Sequence, residues 1–130
     1  MTLLLDTSVF VRLASSPQSL PKRVLTTLDE AERRVLSVVS VWEMAVKAAN
    51  GKLRLPLDVN AWVRTRAAAL VVDIEPLSFE QTAAVERLPL RHRDPFDRLL
   101  VGVANVEGYT FVTADRRLKD YRVHILPAWK

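Results

Sequence analysis

Leu3-Leu4-Leu5-Asp6-Thr7-Ser8 places a short, wholly apolar run directly before an aspartate and two hydroxyl residues. A continuous apolar run of this length is typical of a central strand that is covered on both faces of a sheet. Beyond Asp6, the apolar residues Val9, Phe10 and Leu13 recur at helical spacing. The stretch therefore predicts a buried strand that ends at a carboxylate and continues at once into a helix.

The rest of the chain repeats this alternation of strand and helix. Capping residues and prolines predict further helix starts at Pro21, Ser40, Asp58, Ser78 and Asp94-Pro95, with helix ends at Asn50-Gly51 and Gly108. Apolar runs predict further strands at 35–39, 71–74, 110–112 and 123–126. This order predicts a parallel sheet with right-handed crossovers. We expect a single three-layer α/β/α domain over residues 1–130, with a central, mainly parallel sheet of about five strands.

The composition narrows the class of protein. The 130 residues include no cysteine, which excludes disulfides, thiolate zinc sites and a catalytic thiol. With two histidines, we also expect no histidine-rich metal site. With no long apolar run and no signal-peptide pattern, we expect a soluble, cytoplasmic protein that does not enter a membrane. The net charge of +4 favours an anionic partner, with nucleic acid first.

Four acidic residues fall where predicted strands end or where predicted helices begin. Asp6 follows the first strand and Asp115 follows the fourth, while Glu43 and Asp97 lie in the first turns of helices. In an open parallel sheet, the functional crevice lies beyond the carboxyl ends of the strands. We therefore expect these four carboxylates to converge at one edge of the sheet.

Each of these acids also has an ordinary structural interpretation. Asp6 and Asp115 are placed to cap the helical turns that follow them. Glu43 closes a formal capping box that begins at Ser40, and Asp97 has the same spacing from Asp94. For any acid taken alone, this interpretation stands beside the functional one.

The combination of four acids favours a metal site. Four carboxylates brought together without a cation would repel one another and lose hydration. Mg²⁺ or Mn²⁺ prefers oxygen ligands and removes this cost. Such an ion can activate water and neutralise charge on a phosphodiester, so the pattern predicts metal-assisted phosphodiester hydrolysis.

The segments around these acids resemble the motifs of PIN-domain nucleases, and most closely the VapC-type toxins of bacterial toxin–antitoxin pairs. The resemblance covers essentially the whole chain and rests on four segments in the same order: Leu4-Leu5-Asp6-Thr7-Ser8, Ser40-Val41-Trp42-Glu43, His92-Arg93-Asp94-Pro95-Phe96-Asp97-Arg98-Leu99-Leu100 and Thr113-Ala114-Asp115. It implies a PIN-like fold and a Mg²⁺-dependent endoribonuclease. It also implies an RNA substrate, a cognate antitoxin as partner and a homodimer.

The resemblance assigns roles to particular residues. Asp6, Glu43, Asp97 and Asp115 would bind the metal and position the attacking water, with Thr7, Ser8, Thr113 and Asp94 in supporting places. Asp94 is better explained as the cap that precedes Pro95, so we choose Asp97 as the ligand, with a metal contact by Asp94 left open.

Basic residues crowd the segments beside the third and fourth acids. The candidates for contacts with RNA phosphates are Arg91, His92, Arg93, Arg98 and Arg116, together with their basic neighbours Arg87, Arg117, Lys119 and Arg122. A solvated helix face with ion pairs to the acids explains the same charges equally well.

Two other functions compete with a nuclease. A phosphotransferase of the haloacid-dehalogenase type also places an aspartate after its first strand, but it needs a second aspartate two residues later, where this chain has Ser8. A non-catalytic RNA- or protein-binding module with a PIN-like fold is the other alternative. The presence of all four acids argues against it, since a module without catalysis has no need to retain them.

Overall fold

The computed structural model describes residues 1–89 and 94–129, and its elements follow the predicted alternation. The strands are β1 Thr2–Leu5, β2 Arg33–Ser37, β3 Asp73–Glu75, β4 Thr110–Thr113 and β5 Ile125–Pro127. Within the described ranges, the α-helices are α1 Thr7–Ser15, α2 Lys22–Glu30, α3 Val38–Ala49, α4 Val59–Leu70, α5 Phe79–Ala83 and α6 Pro95–Glu107. Short 3₁₀ turns at Pro17–Ser19, Ala84–Arg87 and Arg116–Asp120 complete the connections.

The five strands form one sheet in the order β3-β2-β1-β4-β5, and every neighbouring pair is parallel. β1 lies at the centre, where Leu4 pairs with Val35 on one side and Phe111 on the other. The predicted α/β/α fold with a mainly parallel sheet of about five strands is confirmed. Because the strands run the same way, all their carboxyl ends lie along one edge.

The core divides into two apolar clusters, one on each face of the sheet. Leu3 and Leu5 point into a cluster built with α1, α2 and α4, whereas Leu4 points into the cluster around α6. Leu3, Leu4 and Leu5 are fully buried, as expected for a strand covered on both faces. Within residues 1–89 and 94–129, no helix has the length and apolar character needed to cross a membrane.

Helix α6 is fixed at its ends and by close packing along its length. Asp94 Oδ1 accepts hydrogen bonds from the backbone N–H of Phe96 (2.9 Å) and Asp97 (3.3 Å), as the Asp94-Pro95 start predicts. Gly108 ends the helix at φ 71°, a conformation that favours glycine. In the middle, a Cβ on Gly102 would lie 2.9 Å from the carbonyl oxygen of a residue in α5, so the two helices approach closely there.

The second strand and its helix begin earlier than predicted. β2 ends at Ser37 rather than at residue 39, and α3 begins at Val38 rather than after Ser40. The Ser37 side chain caps this helix by accepting a hydrogen bond from the Val39 N–H at 3.1 Å. Two β-branched residues that favour a strand therefore lie in the first helical turn, because the cap decides the boundary.

Three further boundaries differ from the predictions. The third strand begins at Asp73 rather than at residue 71, because Val71 adopts a left-handed conformation (φ 55°) at the end of α4. The fifth strand covers 125–127 rather than 123–126. The Ser78 capping box is confirmed, but the helix that it starts ends at Ala83 and continues as a 3₁₀ turn.

Candidate active site

The predicted acids line one cleft, of about 420 Å³, at the carboxyl edge of the sheet. The residues that line it come from α1, α3, the loop after α3, the start of α6 and the segment after β4. The predicted site residues among them are Asp6, Thr7, Ser8, Glu43, Asp94, Asp97 and Asp115. Thr113 is fully buried and contacts the cleft through Asp6. The structure thus brings together segments that are far apart in the sequence.

Asp6 lies at the floor of the cleft, between the central strand and α1. Its Oδ2 accepts a hydrogen bond of 2.6 Å from the Thr113 hydroxyl, and its Oδ1 accepts one of 2.7 Å from the Thr7 N–H. The residue is 6% exposed. Asp6 therefore caps α1, as its structural interpretation predicts, and also presents a carboxylate to the cleft.

Glu43 reaches the cleft from α3, and the capping-box interpretation of this residue is wrong. Because α3 begins at Val38, Glu43 is the sixth residue of the helix instead of the third. Its Oε1 accepts a hydrogen bond of 2.6 Å from the Thr7 hydroxyl, which also lies 2.8 Å from the Ser40 hydroxyl. The buried Glu43 carboxylate is therefore held by side chains of α1 and α3.

Asp97 and Asp94 both line the cleft from the start of α6. One carboxylate oxygen of Asp94 caps the helix, in agreement with the predicted role of this residue. Asp97 lies in the first turn of α6 and is 8% exposed. The helix N-terminus favours a negative charge at this position.

Asp115 follows β4 and begins a 3₁₀ turn. Its backbone N–H donates to the Thr113 hydroxyl at 3.0 Å, and its Oδ1 accepts from the Arg117 N–H at 3.0 Å. The Thr113 hydroxyl thus contacts both Asp6 and Asp115. The capping role predicted for Asp115 is present, and the carboxylate still lines the cleft.

Among the described residues, Arg117, which the sequence places near the fourth acid, lines the cleft together with three bases that the sequence patterns did not single out: Arg12, Lys47 and Lys52. The Lys47 ammonium donates to Glu43 Oε2 at 2.6 Å, and this hydrogen bond is the main reason that the pKa of Lys47 is raised. The spacing of four residues between Glu43 and Lys47 was a usable signal, since such pairs face each other on a helix.

The predicted RNA contacts have different surroundings. Arg98 donates to the backbone carbonyls of Val85, Leu88 and Pro89, which anchors the chain after α5 against α6. Arg116 lies 5.5 Å from the ring centre of Trp129. Arg91, His92 and Arg93 lie outside the described residues.

The electrostatics of the cleft centre on Asp6. Burial, with smaller contributions from the negative charges of Asp97 and Glu43, raises the pKa of the Asp6 carboxyl to about 7, against the lowering effect of its hydrogen bonds. A buried carboxylate beside two other acids is an arrangement that a cation stabilises. The donor set is all oxygen, which fits Mg²⁺ or Mn²⁺.

The carboxylates are not arranged as a finished metal site. Among residues 1–89 and 94–129, no three acidic or histidine side chains are grouped so as to enclose an ion. In the described part of the chain, Glu43 forms an ion pair with Lys47, and Asp115 forms one with Arg117. The donor chemistry therefore fits a divalent ion, which would compete with these ion pairs for the carboxylate oxygens.

The similarity of this chain to known proteins identifies the family of α/β proteins to which the fold and the acidic cleft belong. Residues 3–123 match the PIN domain family, and this chain belongs to that family. It is 32% identical over 123 residues to Ribonuclease VapC22 of Mycobacterium tuberculosis (strain ATCC 25618 / H37Rv), a match that covers 93% of this chain and 92% of that protein.

Solved structures share the same fold. VapBC2 from Rickettsia felis, solved with a DNA fragment from its promoter, aligns with a TM-score of 0.75 at 16% identity. DNA-bound VapBC from Salmonella typhimurium aligns with a TM-score of 0.70 at 14% identity. Both matches cover 98% of this chain and 98% of the other chain. At these identities the likeness shows the fold.

Replacing Asp6 with Asn is expected to stabilise the metal-free protein, and more at pH 8 than at pH 5. Between pH 4 and 7 the unfolded state releases a proton that the folded state retains on Asp6, so the free energy of unfolding of the wild type falls as pH rises. Because Asn does not titrate, the variant does not lose this stability as pH rises. The Asn side-chain amide can still form hydrogen bonds with Thr7 and Thr113. We expect the advantage of Asp6→Asn to grow by on the order of 2 kcal/mol between the two pH values.

Urea denaturation in the presence of a chelator measures this difference. Asp29→Asn, at an exposed aspartate of α2, controls for the loss of one negative charge. An Asp6→Asn advantage that is the same at both pH values would contradict the buried, proton-retaining carboxyl.

Proposed function

We propose that this chain is a Mg²⁺-dependent endoribonuclease that hydrolyses phosphodiester bonds of RNA, with Mn²⁺ as an alternative ion. The observation that carries the proposal is the cleft itself, where carboxylates from three other segments surround the buried Asp6. The similarity to a protein named Ribonuclease VapC22 supports RNA as the substrate class. The net charge of +4 is compatible with a polyanionic substrate.

In this proposal Asp6, Glu43, Asp97 and Asp115 hold the ion. When bound, the ion lowers the pKa of a coordinated water and neutralises charge on the phosphodiester and its leaving oxygen. The acids of the chain share the tasks of holding the ion and orienting the attacking water.

Hydroxyl groups of the chain keep these acids in place. Thr113 donates to Asp6 and Thr7 donates to Glu43, each at 2.6 Å. Because each hydroxyl is buried, it fixes the rotamer of its carboxylate without adding a positive charge that would compete with the ion. Ser8 is exposed at the rim, where its hydroxyl is available to substrate.

The wild-type protein is expected to cleave total RNA in Mg²⁺ and to be inactive in EDTA. Asp6→Asn is expected to lower the cleavage rate by at least about 100-fold, because it removes a charged ligand from the floor of the cleft. Gel analysis of RNA fragments over time measures both effects.

Asp29→Asn is the matched control, because it makes the same change at an exposed aspartate outside the cleft. Equal cleavage by wild type and Asp6→Asn, or no cleavage in either metal, would refute the proposed nuclease.

A second comparison separates the two acids of α6. Asp97→Asn is expected to reduce cleavage at least about 10-fold more than Asp94→Asn. Asn caps a helix as well as Asp does, so the second variant preserves the start of α6. Initial rates at saturating Mg²⁺, with thermal melting to check folding, measure the difference. A larger loss for Asp94→Asn would reverse the assignment of the ligand.

We also propose that the chain is the toxin component of a toxin–antitoxin pair and acts on RNA in the cytoplasm as a homodimer. Its structural relatives include toxin–antitoxin complexes, among them one from Klebsiella pneumoniae with a TM-score of 0.68. The cognate antitoxin is expected to occupy the cleft and to be encoded beside this chain.

Expression of the wild-type chain in bacteria is expected to stop growth, whereas Asp6→Asn is tolerated. Co-expression of the small protein encoded immediately upstream is expected to restore growth, and light scattering of the purified chain measures its oligomeric state. Growth arrest that persists in Asp6→Asn would show that toxicity does not come from this cleft.

A further inference from the structure

Two basic side chains occupy carboxylates that are proposed to bind the metal. The Lys47 ammonium donates to Glu43 Oε2 at 2.6 Å, and Arg117 donates through Nε and Nη2 to both oxygens of Asp115, at 2.9 and 2.7 Å. In each pair the base is much more exposed than the acid. The side chains of Lys47 and Arg117 are 47% and 69% exposed, whereas those of Glu43 and Asp115 are 6% and 21% exposed. The bases therefore cover the acids from the solvent side.

These ion pairs compete with a divalent ion for the same oxygens. A divalent ion bound to a carboxylate offsets its negative charge, so the carboxylate attracts an ammonium or guanidinium less strongly. The ion also repels a positively charged side chain that stays beside it. Displacement is inexpensive, because partly exposed ion pairs contribute little and both bases have long, flexible side chains. Lys47 and Arg117 thus offset the charge of Glu43 and Asp115 in the metal-free cleft, and both can leave these acids.

Bases released from these ion pairs would stay at the solvent side of the cleft, which is the side open to an RNA strand. A guanidinium binds phosphate through two parallel hydrogen bonds, and an ammonium binds it as a point charge. We propose that Lys47 and Arg117 exchange partners: they neutralise Glu43 and Asp115 in the metal-free protein and contact RNA phosphates beside the scissile bond once the ion is bound. This inference rests on the proposed function and adds two substrate-binding residues to it.

The exchange of partners predicts that removing either basic side chain strengthens the binding of Mn²⁺ and weakens the binding of RNA. Lys47→Gln and Arg117→Gln retain a hydrogen-bond donor but remove the competing charge, so each is expected to lower the Kd for Mn²⁺ by about 3- to 10-fold. The same variants are expected to bind RNA more weakly. The slope of log K against log salt is expected to become less steep by about 0.7 for each lost phosphate contact with a single strand.

Mn²⁺ binding is measured by titration calorimetry on the full chain without RNA. RNA binding is measured by fluorescence anisotropy of a single-stranded oligomer in Ca²⁺, with gel analysis to confirm that the strand stays intact. Lys47→Arg keeps the charge and is expected to leave the Kd for Mn²⁺ within about 2-fold of the wild type.

Two charge-matched controls separate contact from long-range electrostatics. Lys52 lines the same cleft but has no ion pair with an acid in the described part of the chain. Arg116 is adjacent to Arg117 and packs against Trp129. Lys52→Gln and Arg116→Gln are expected to leave the Kd for Mn²⁺ within about 2-fold of the wild type.

The outcomes are distinct. Weaker Mn²⁺ binding in Lys47→Gln and Arg117→Gln would show that these bases only position the acids. An unchanged Kd would show that the bases do not compete with the ion. Either result overturns the exchange of partners and leaves the proposed nuclease function standing. Tighter Mn²⁺ binding with unchanged RNA affinity and salt slope would overturn the phosphate contact. A wild-type chain that binds no Mn²⁺ would overturn the proposed function and this inference with it.

Discussion

The hydrogen bond from the Thr113 hydroxyl to Asp6 Oδ2 joins the ends of the two central strands at the floor of the cleft. It stabilises a carboxylate in a buried position, where the free energy of lost hydration would otherwise not be compensated. The same hydroxyl accepts from the Asp115 N–H, so one side chain sets the places of two acids. The cleft depends on this contact, because Glu43 and Asp97 approach a carboxylate that is already fixed.

The cleft carries charges of both signs at close range. Of the residues that the structure describes, five acids and four bases line it, and two of these bases form ion pairs with acids. This composition explains how several carboxylates can share one crevice without a bound ion. It also distinguishes the cleft from a rigid cation site, because part of its positive charge lies on flexible side chains that are exposed to solvent.

The sequence predicts the positions of strand-end acids better than it predicts their surroundings. Asp6 and Asp115 could be placed because a parallel sheet brings the ends of its strands to one edge, whatever the details of packing. The start of α3 was missed because Val38 favours a strand locally, and only the hydrogen bond accepted by Ser37 decides otherwise. The charge of Lys47 was visible, and so was its spacing from a glutamate. Its closeness to the other acids was not visible, because that depends on how α3 packs against α6.

The arrangement of the acids also has a consequence for how the protein is made. Segments between residues 6 and 115 supply them, and β4, which carries the hydroxyl that holds Asp6, is the fourth of the five strands. A ribosome that has synthesised the first hundred residues has produced four of the five acids that the described residues supply to the cleft, but it has not yet produced β4, whose Thr113 holds Asp6. The cleft therefore cannot assemble on the nascent chain until β4 has been synthesised and has paired with β1.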